Sequence, residues 1–163
     1  MTGPTLRRAT SEDAEELTRL RILMGTSLGW AEPDEDWTKT CVEHFRTRLA
    51  EDSDFVAVVV DQQPGAGPGG ALASSGCGWI DQHLPGFADV TGRVGYVASM
   101  STDVDARGKG LGRAVFDGLL AWFDEKGILH IELHASTYGE SLYRSYGFDD
   151  PRSRALSLWR GAT

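Results

Sequence analysis

The sequence predicts a single α/β domain of the α+β kind, built on a mixed sheet, and three observations predict it. Strand-like and helix-like segments follow the order β-α-α-β-β-β-α-β-α-β. One strand–helix–strand passage in the second half reads as a crossover between parallel strands, expected right-handed. The chain has 163 residues, 40% of them apolar, enough to bury one core and too few for a second. No internal repeat or linker divides residues 1–163, so they are expected to form one domain.

Residues 5–9 read as a short first strand. Thr10, with Asp13 three positions on, has the form of a capping box; Ala14, Leu17, Leu20 and Met24 then recur at helical spacing. Residues 25–33 break that helix. A second helix carries Trp37, Cys41, Phe45 and Leu49 on one stripe. Residues 55–60, FVAVVV, have the composition of a strand buried on both faces. The Gly- and Pro-rich run 62–70 reads as a mobile turn. It leads into a strand over 71–80, whose small residues Gly76, Cys77 and Gly78 predict close approach by another element. After a loop over 82–92, residues 93–102 read as a strand with Val94, Tyr96, Ala98 and Met100 on one face. Leu111, Ala114, Val115, Gly118, Leu119, Trp122 and Phe123 then fit the i, i+3, i+4, i+7, i+8 template of an amphipathic helix, and Gly127 is placed to cap it. A strand over 128–135, a short helix over 137–146 and a final strand over 154–159 complete the chain. Trp122 and Trp159 are expected in the core.

Composition narrows the function. A formal charge of −8 lacks the basic footprint of a nucleic-acid binder. No apolar run approaches the ~20 residues needed to cross a bilayer, and the N-terminus shows no apolar leader, so a cytoplasmic protein is expected. Cys41 and Cys77 lack metal-ligand spacing and read as reduced thiols. His130, Glu132 and His134 alternate onto one strand face without a fourth ligand, so no metal is expected. Within this acidic chain Arg107, Lys109 and Arg113 form one basic spot, suited to one anion. Glu32, Asp34, Glu35 and Asp36 crowd a loop that would attract a cation.

The informative segment is residues 102–113, between a strand end and the amphipathic helix. First-turn amides of a helix lack internal partners and the helix dipole makes them partly positive. Glycines at 108, 110 and 112 clear the approach, and the three basic side chains add charge, an arrangement that suits a pyrophosphate. It is neither a P-loop, since Asp103 stands where the first glycine belongs, nor a GxGxxG turn, since Arg113 or Val115 takes the last place.

What the segment does match is R-x-x-G-x-G, as Arg107, Gly110 and Gly112. With Leu142-Tyr143-Arg144-Ser145-Tyr146-Gly147-Phe148 as an L-Y-x-x-x-G-F signature, the chain resembles the GCN5-related N-acetyltransferases (GNAT) over nearly its whole length. Ser136 and Gly139 depart from the residues that many relatives carry seven and four places before the tyrosine. The resemblance implies a mostly antiparallel sheet with one splayed parallel strand pair, flanked by about four helices. It implies direct transfer of acetyl from acetyl-CoA to a primary amine of a small cationic acceptor. A protein N-terminal or lysine acetyltransferase and a non-catalytic acyl-CoA sensor are the alternatives. Met100, Ser101 and Thr102 would hold the pantetheine; Arg107, Gly108, Lys109, Gly110, Leu111, Gly112 and Arg113 would hold the pyrophosphate. Tyr143 would be the general acid, His134 a base, and Trp30, Glu32 and Asp36 the acceptor site. Tyr146 would be core, and a homodimer is the implied assembly.

Overall fold

The computed structural model describes residues 3–161, so the expected extent of 1–163 reaches past it at both ends. Five strands form one sheet in chain order: β1 (Leu6–Arg8), β2 (Phe55–Asp61), β3 (Leu72–Gln82), β4 (Arg93–Thr102) and β5 (His130–Leu133). Neighbours run antiparallel except β4 and β5, which are parallel. Four helices flank the sheet: α1 (Ala14–Ser27), α2 (Glu35–Glu51), α3 (Leu111–Glu125) and α4 (Glu140–Ser145).

β2 is buried on both faces, and its alternate residues serve two cores. Val56, Val58 and Val60 pack with Val115, Phe116, Leu119, Trp122 and Phe123 of α3. Phe55, Ala57 and Val59 pack with Leu17 and Leu20 of α1 and Phe45 of α2. The small residues of β3 admit α3: a Cβ on Gly76 would stand 2.9 Å from Val115 Cγ1, and one on Gly78 would stand 3.1 Å from Phe123 Cζ.

The capping box is present. Thr10 and Asp13 bond each other's backbone and open a short 3-10 turn that runs into α1. Asp13 also joins a network that corrects the expectation of a mobile 62–70 turn. Arg7 pairs with Asp13 at 2.8 Å and with Asp61 at 2.7 Å. The same carboxylates accept the amides of Gly69 and Gly67, and Arg7 donates to the Gly67 carbonyl. Glycine supplies the left-handed backbone at 65, 67 and 69, and the ion cluster fixes where it goes. α1 also runs two residues past Gly25, and the Trp30 ring folds back onto that glycine, where a Cβ would meet Trp30 Cε3 at 2.9 Å.

Three further expectations are corrected. Met100 does not share a face with Tyr96. The β3–β4 register gains one residue on β4 between Ser75/Ser101 and Cys77/Ala98, and Ser99 has φ +56°. This bulge inverts the alternation, so Met100 joins the α3 cluster with Val97 while Tyr96 packs on Trp79. Phe116, off the helical stripe, is fully buried because α4 lies over it. Residues 154–159 form no strand, and Trp159 is no core residue. Leu156, Leu158 and Trp159 are 92%, 82% and 91% exposed. Period-2 alternation makes a strand only when a neighbour supplies the ladder, and no strand pairs with this segment.

Candidate functional site

β4 and β5 pair only from Val94/His130 to Val97/Leu133. β4 then continues through the bulge to Thr102 while β5 stops, so the β5-facing edge of residues 98–102 has no strand beside it. Backbone donors and acceptors on that edge are available to a ligand lying between the strands. The opposite edge stays fixed, with Ser74 Oγ donating to the Ser101 carbonyl at 3.1 Å and lying 2.9 Å from Thr102 Oγ1. Met100, Ser101 and Thr102 thus line the parting.

From Thr102 the chain passes through a 3-10 turn (Val104–Ala106) to the opening of α3. Gly110 caps that helix with φ +77°, and no side chain bonds its first-turn amides. The first helical bond comes from the Ala114 amide to the Gly110 carbonyl at 3.1 Å, which leaves the amides of Leu111, Gly112 and Arg113 without helical acceptors. A Cβ at Gly108 or Gly110 would meet nothing within 4 Å, so the approach is open. Arg107 Nε donates to the Thr102 carbonyl at 3.1 Å and shapes the turn. Lys109 is exposed and makes no ion pair among the described residues. Arg113 leans the other way, onto the Tyr146 ring at 5.2 Å and Ser145 Oγ at 3.3 Å, and so ties α3 to α4. Asp103, which precedes the 3-10 turn, is engaged by Arg19 at 3.0 Å and by Gln62.

α4 is held against α3 by aromatic contacts. Phe116 meets Tyr143 at 5.2 Å, Tyr146 at 4.9 Å and Phe148 at 5.8 Å between ring centroids. Ser136 accepts the Gly139 amide and starts this segment, and a Cβ on Gly139 would stand 3.1 Å from Tyr143 Cε2. The two departures from the common signature thus let the chain pass close over the Tyr143 ring. Tyr143 is buried, in the cluster that also takes Met100, Leu111 and Leu133 at its margin. That burial raises its pKa above a free phenol's. Tyr146, expected in the core, is half-buried and bonds Asp117.

His134 stands one residue past the last β4–β5 pair. Its Nδ1 lies 3.0 Å from the Tyr96 hydroxyl, the rings edge-on at 5.7 Å. Burial, with Glu132 and Asp81 nearby, raises the Tyr96 pKa and keeps this phenol neutral. Sequence reading passed over Tyr96 as a partner of His134, although its place in the strand alternation was visible. Met100 and Thr102 border the gap, Tyr143 lies in the α3-side cluster that takes Met100, and His134 lies on Tyr96 just past the last β4–β5 pair. Trp30 and Glu32 are exposed on the α1–α2 connection and Asp36 is exposed in the first turn of α2, and no hydrogen bond or ring contact joins them to the parting. Asp34, their neighbour, caps α2 through the Trp37 amide. No cluster of three metal-binding side chains occurs among the described residues, and none of their helices is long and apolar enough to cross a membrane.

Residues 78–155 match the family model described as the acetyltransferase (GNAT) domain. A predicted acetyltransferase with acetyl-CoA from Clostridium acetobutylicum superposes with a TM-score of 0.81 at 27% identity, over 94% of each chain. A GCN5-related N-acetyltransferase from Ralstonia eutropha JMP134 gives 0.75 at 24% identity, over 96% of this chain and 99% of that one. Glucosamine-6-phosphate N-acetyltransferase from Arabidopsis thaliana gives 0.72 at 17%, over 98% and 100%, a likeness of fold alone. No protein of curated function matches the sequence.

Proposed function

We propose that this chain, a member of the GCN5-related N-acetyltransferase superfamily, transfers the acetyl group of acetyl-CoA directly to a primary amine. The carrying observation is the open glycine turn at the start of α3 adjoining a bulged strand edge with no neighbour. The first can take a pyrophosphate on free amides; the second can take the two amides of a pantetheine arm as an added strand. The solved Clostridium relative, which carries acetyl-CoA, supports the same ligand here.

In this reading Met100, Ser101 and Thr102 hold the arm by their backbone. The bulge at Ser99 turns a β4 amide toward the acyl oxygen, where negative charge grows as the amine attacks. Gly108 to Arg113 hold the pyrophosphate, with Arg107 and Lys109 adding charge and Arg113 bracing α4. Cys77 is buried in the core on the α1 and α2 side and its thiol is pushed up to about 12, so direct attack by the amine fits better than an acyl-enzyme. Tyr143 keeps its proton at neutral pH and serves as the acid that releases the CoA thiol. His134 or a water chain beside it takes the amine proton. Glu32, Asp36 and Trp30 contribute a negative approach for a cationic acceptor.

Calorimetry with CoA and a thiol-release assay against an amine panel test this reading. The expected results are micromolar to millimolar CoA binding, its loss on Gly110→Asp, and thiol release with at least one amine. Unchanged CoA affinity in a folded Gly110→Asp protein counts against the pyrophosphate turn. Binding without release on any amine favours a sensor.

A further inference from the structure

On the sheet face opposite α3, one aromatic row crosses β2, β3 and β4 and ends at His134, just past β5. Phe55 and Trp79 are stacked at 6.4 Å, Trp79 and Tyr96 lie 4.9 Å apart, and Tyr96 and His134 lie 5.7 Å apart. The β2 end of this row already holds a cation. The Arg48 guanidinium lies 4.3 Å from the Phe55 centroid and 5.5 Å from that of Trp79, with Asp52 bonded to it at 2.8 Å. The β4–β5 end repeats the rings and the carboxylates. Asp81 accepts from the Trp79 indole at 3.2 Å, and Glu132 lies directly opposite Tyr96 in the ladder. Both carboxylates are exposed, and Glu132 has His130 at 3.5 Å. Among the described residues no lysine or arginine lies over the Tyr96 ring, while Arg48 reaches only the Phe55 side of Trp79.

We infer that the Trp79–Tyr96 wall, rimmed by Asp81 and Glu132, binds a second cationic group of the acceptor, so that the preferred substrates are diamines or amines with another positive centre. The inference rests on the acetyl-transfer reading. The attacking amine must be neutral, so the held ammonium is a different group of the same molecule. Aromatic faces and nearby carboxylates attract such a cation, as the Arg48 end already does within this chain. The gap between β4 and β5 opens at Ala98, two residues beyond Tyr96, a strand advance of roughly 7 Å. The two nitrogens of a good acceptor therefore sit about that far apart. His134, pinned to Tyr96, stands between the held cation and the parting.

The probes are 1,4-diaminobutane and 1-butylamine, read by tryptophan fluorescence without cofactor and by acceptor KM with it. The diamine is expected to bind at least about tenfold tighter than the monoamine. The Asp81→Asn, Glu132→Gln double variant and Trp79→Leu are each expected to erase most of that preference. Equal affinity for the two amines in the unaltered chain overturns the inference, as does a preference that survives the double variant. A preference abolished instead by Glu32→Gln with Asp36→Asn assigns the cation to the start of α2 and the loop before it and also overturns it. Diamine-selective quenching without any acetyl transfer leaves this wall standing and removes the transferase reading. Transfer without diamine preference does the reverse.

Discussion

Burial of the Tyr143 ring raises its pKa above that of a free phenol, so the hydroxyl still carries its proton where a lysine-like amine begins to lose one. Because the proton is lost only above the ordinary value near 10, Tyr143 adds no alkaline limb to kcat below about pH 10. Tyr143→Phe is expected to lower kcat by about 10²-fold or more, with little change in CoA affinity, measured by thiol release and calorimetry. Arg7 raises a separate question of stability. Asp61 is held below the ordinary carboxyl range chiefly by its bond from Arg7. For Asp13, burial alone pushes upward, and the bonds from Arg7, Thr10 and Gly69 outweigh it. Both native pKa values are depressed, so this stabilisation is present above the unfolded value near 4 and is lost as pH falls through the native ones. Arg7→Leu leaves Asp13 buried and unpaired and is expected to cost about 3–5 kcal/mol in denaturant unfolding at pH 7, with a smaller penalty near pH 3. The glycine-turn residues and Tyr143 were legible as motif positions. Tyr96 beside His134 was not, because their bond joins residues 38 apart in sequence.

At the scale of elements, α4 depends on α3 through one ring. Phe116 touches Tyr143, Tyr146 and Phe148, and Arg113 braces the same contact from outside. Phe116→Ala is expected to destabilise the protein by about 3–5 kcal/mol. Amides of α4 should then exchange with solvent before those of β2 and β3. Equal protection losses across all three elements would contradict this. Local patterns predicted α3, the capping box before α1 and the close approach at Gly76 and Gly78, since each is set by neighbours within a few positions. Phe116 escaped because α4, which buries it, is supplied more than twenty residues later. Strand alternation alone misplaced Met100, because the β4 bulge adds one residue and exchanges the faces of everything beyond it.

Across the whole molecule, two cores lie on either side of a sheet whose last strand, β5, has an open outer edge. Residues 151–161 are exposed and cover neither core, so deleting residues 151–163 is expected to shift Tm by no more than about 2 °C in a thermal melt. A loss of 8 °C or more would mean that the exposed Leu156, Leu158 and Trp159 are buried in solution. Sequence by itself determined the order of elements as far as α4, the two-faced burial of β2, the amphipathic α3 and the glycine turn that opens it, because hydrophobic period, capping chemistry and glycine backbone freedom act over a few residues. Tertiary structure alone decided where β4 and β5 part, which face Met100 takes, what pins the 62–70 turn, and that residues 154–159 stay unpaired. Each of these depends on a partner distant in the chain, and a strand edge or an ion cluster exists only once that partner has arrived.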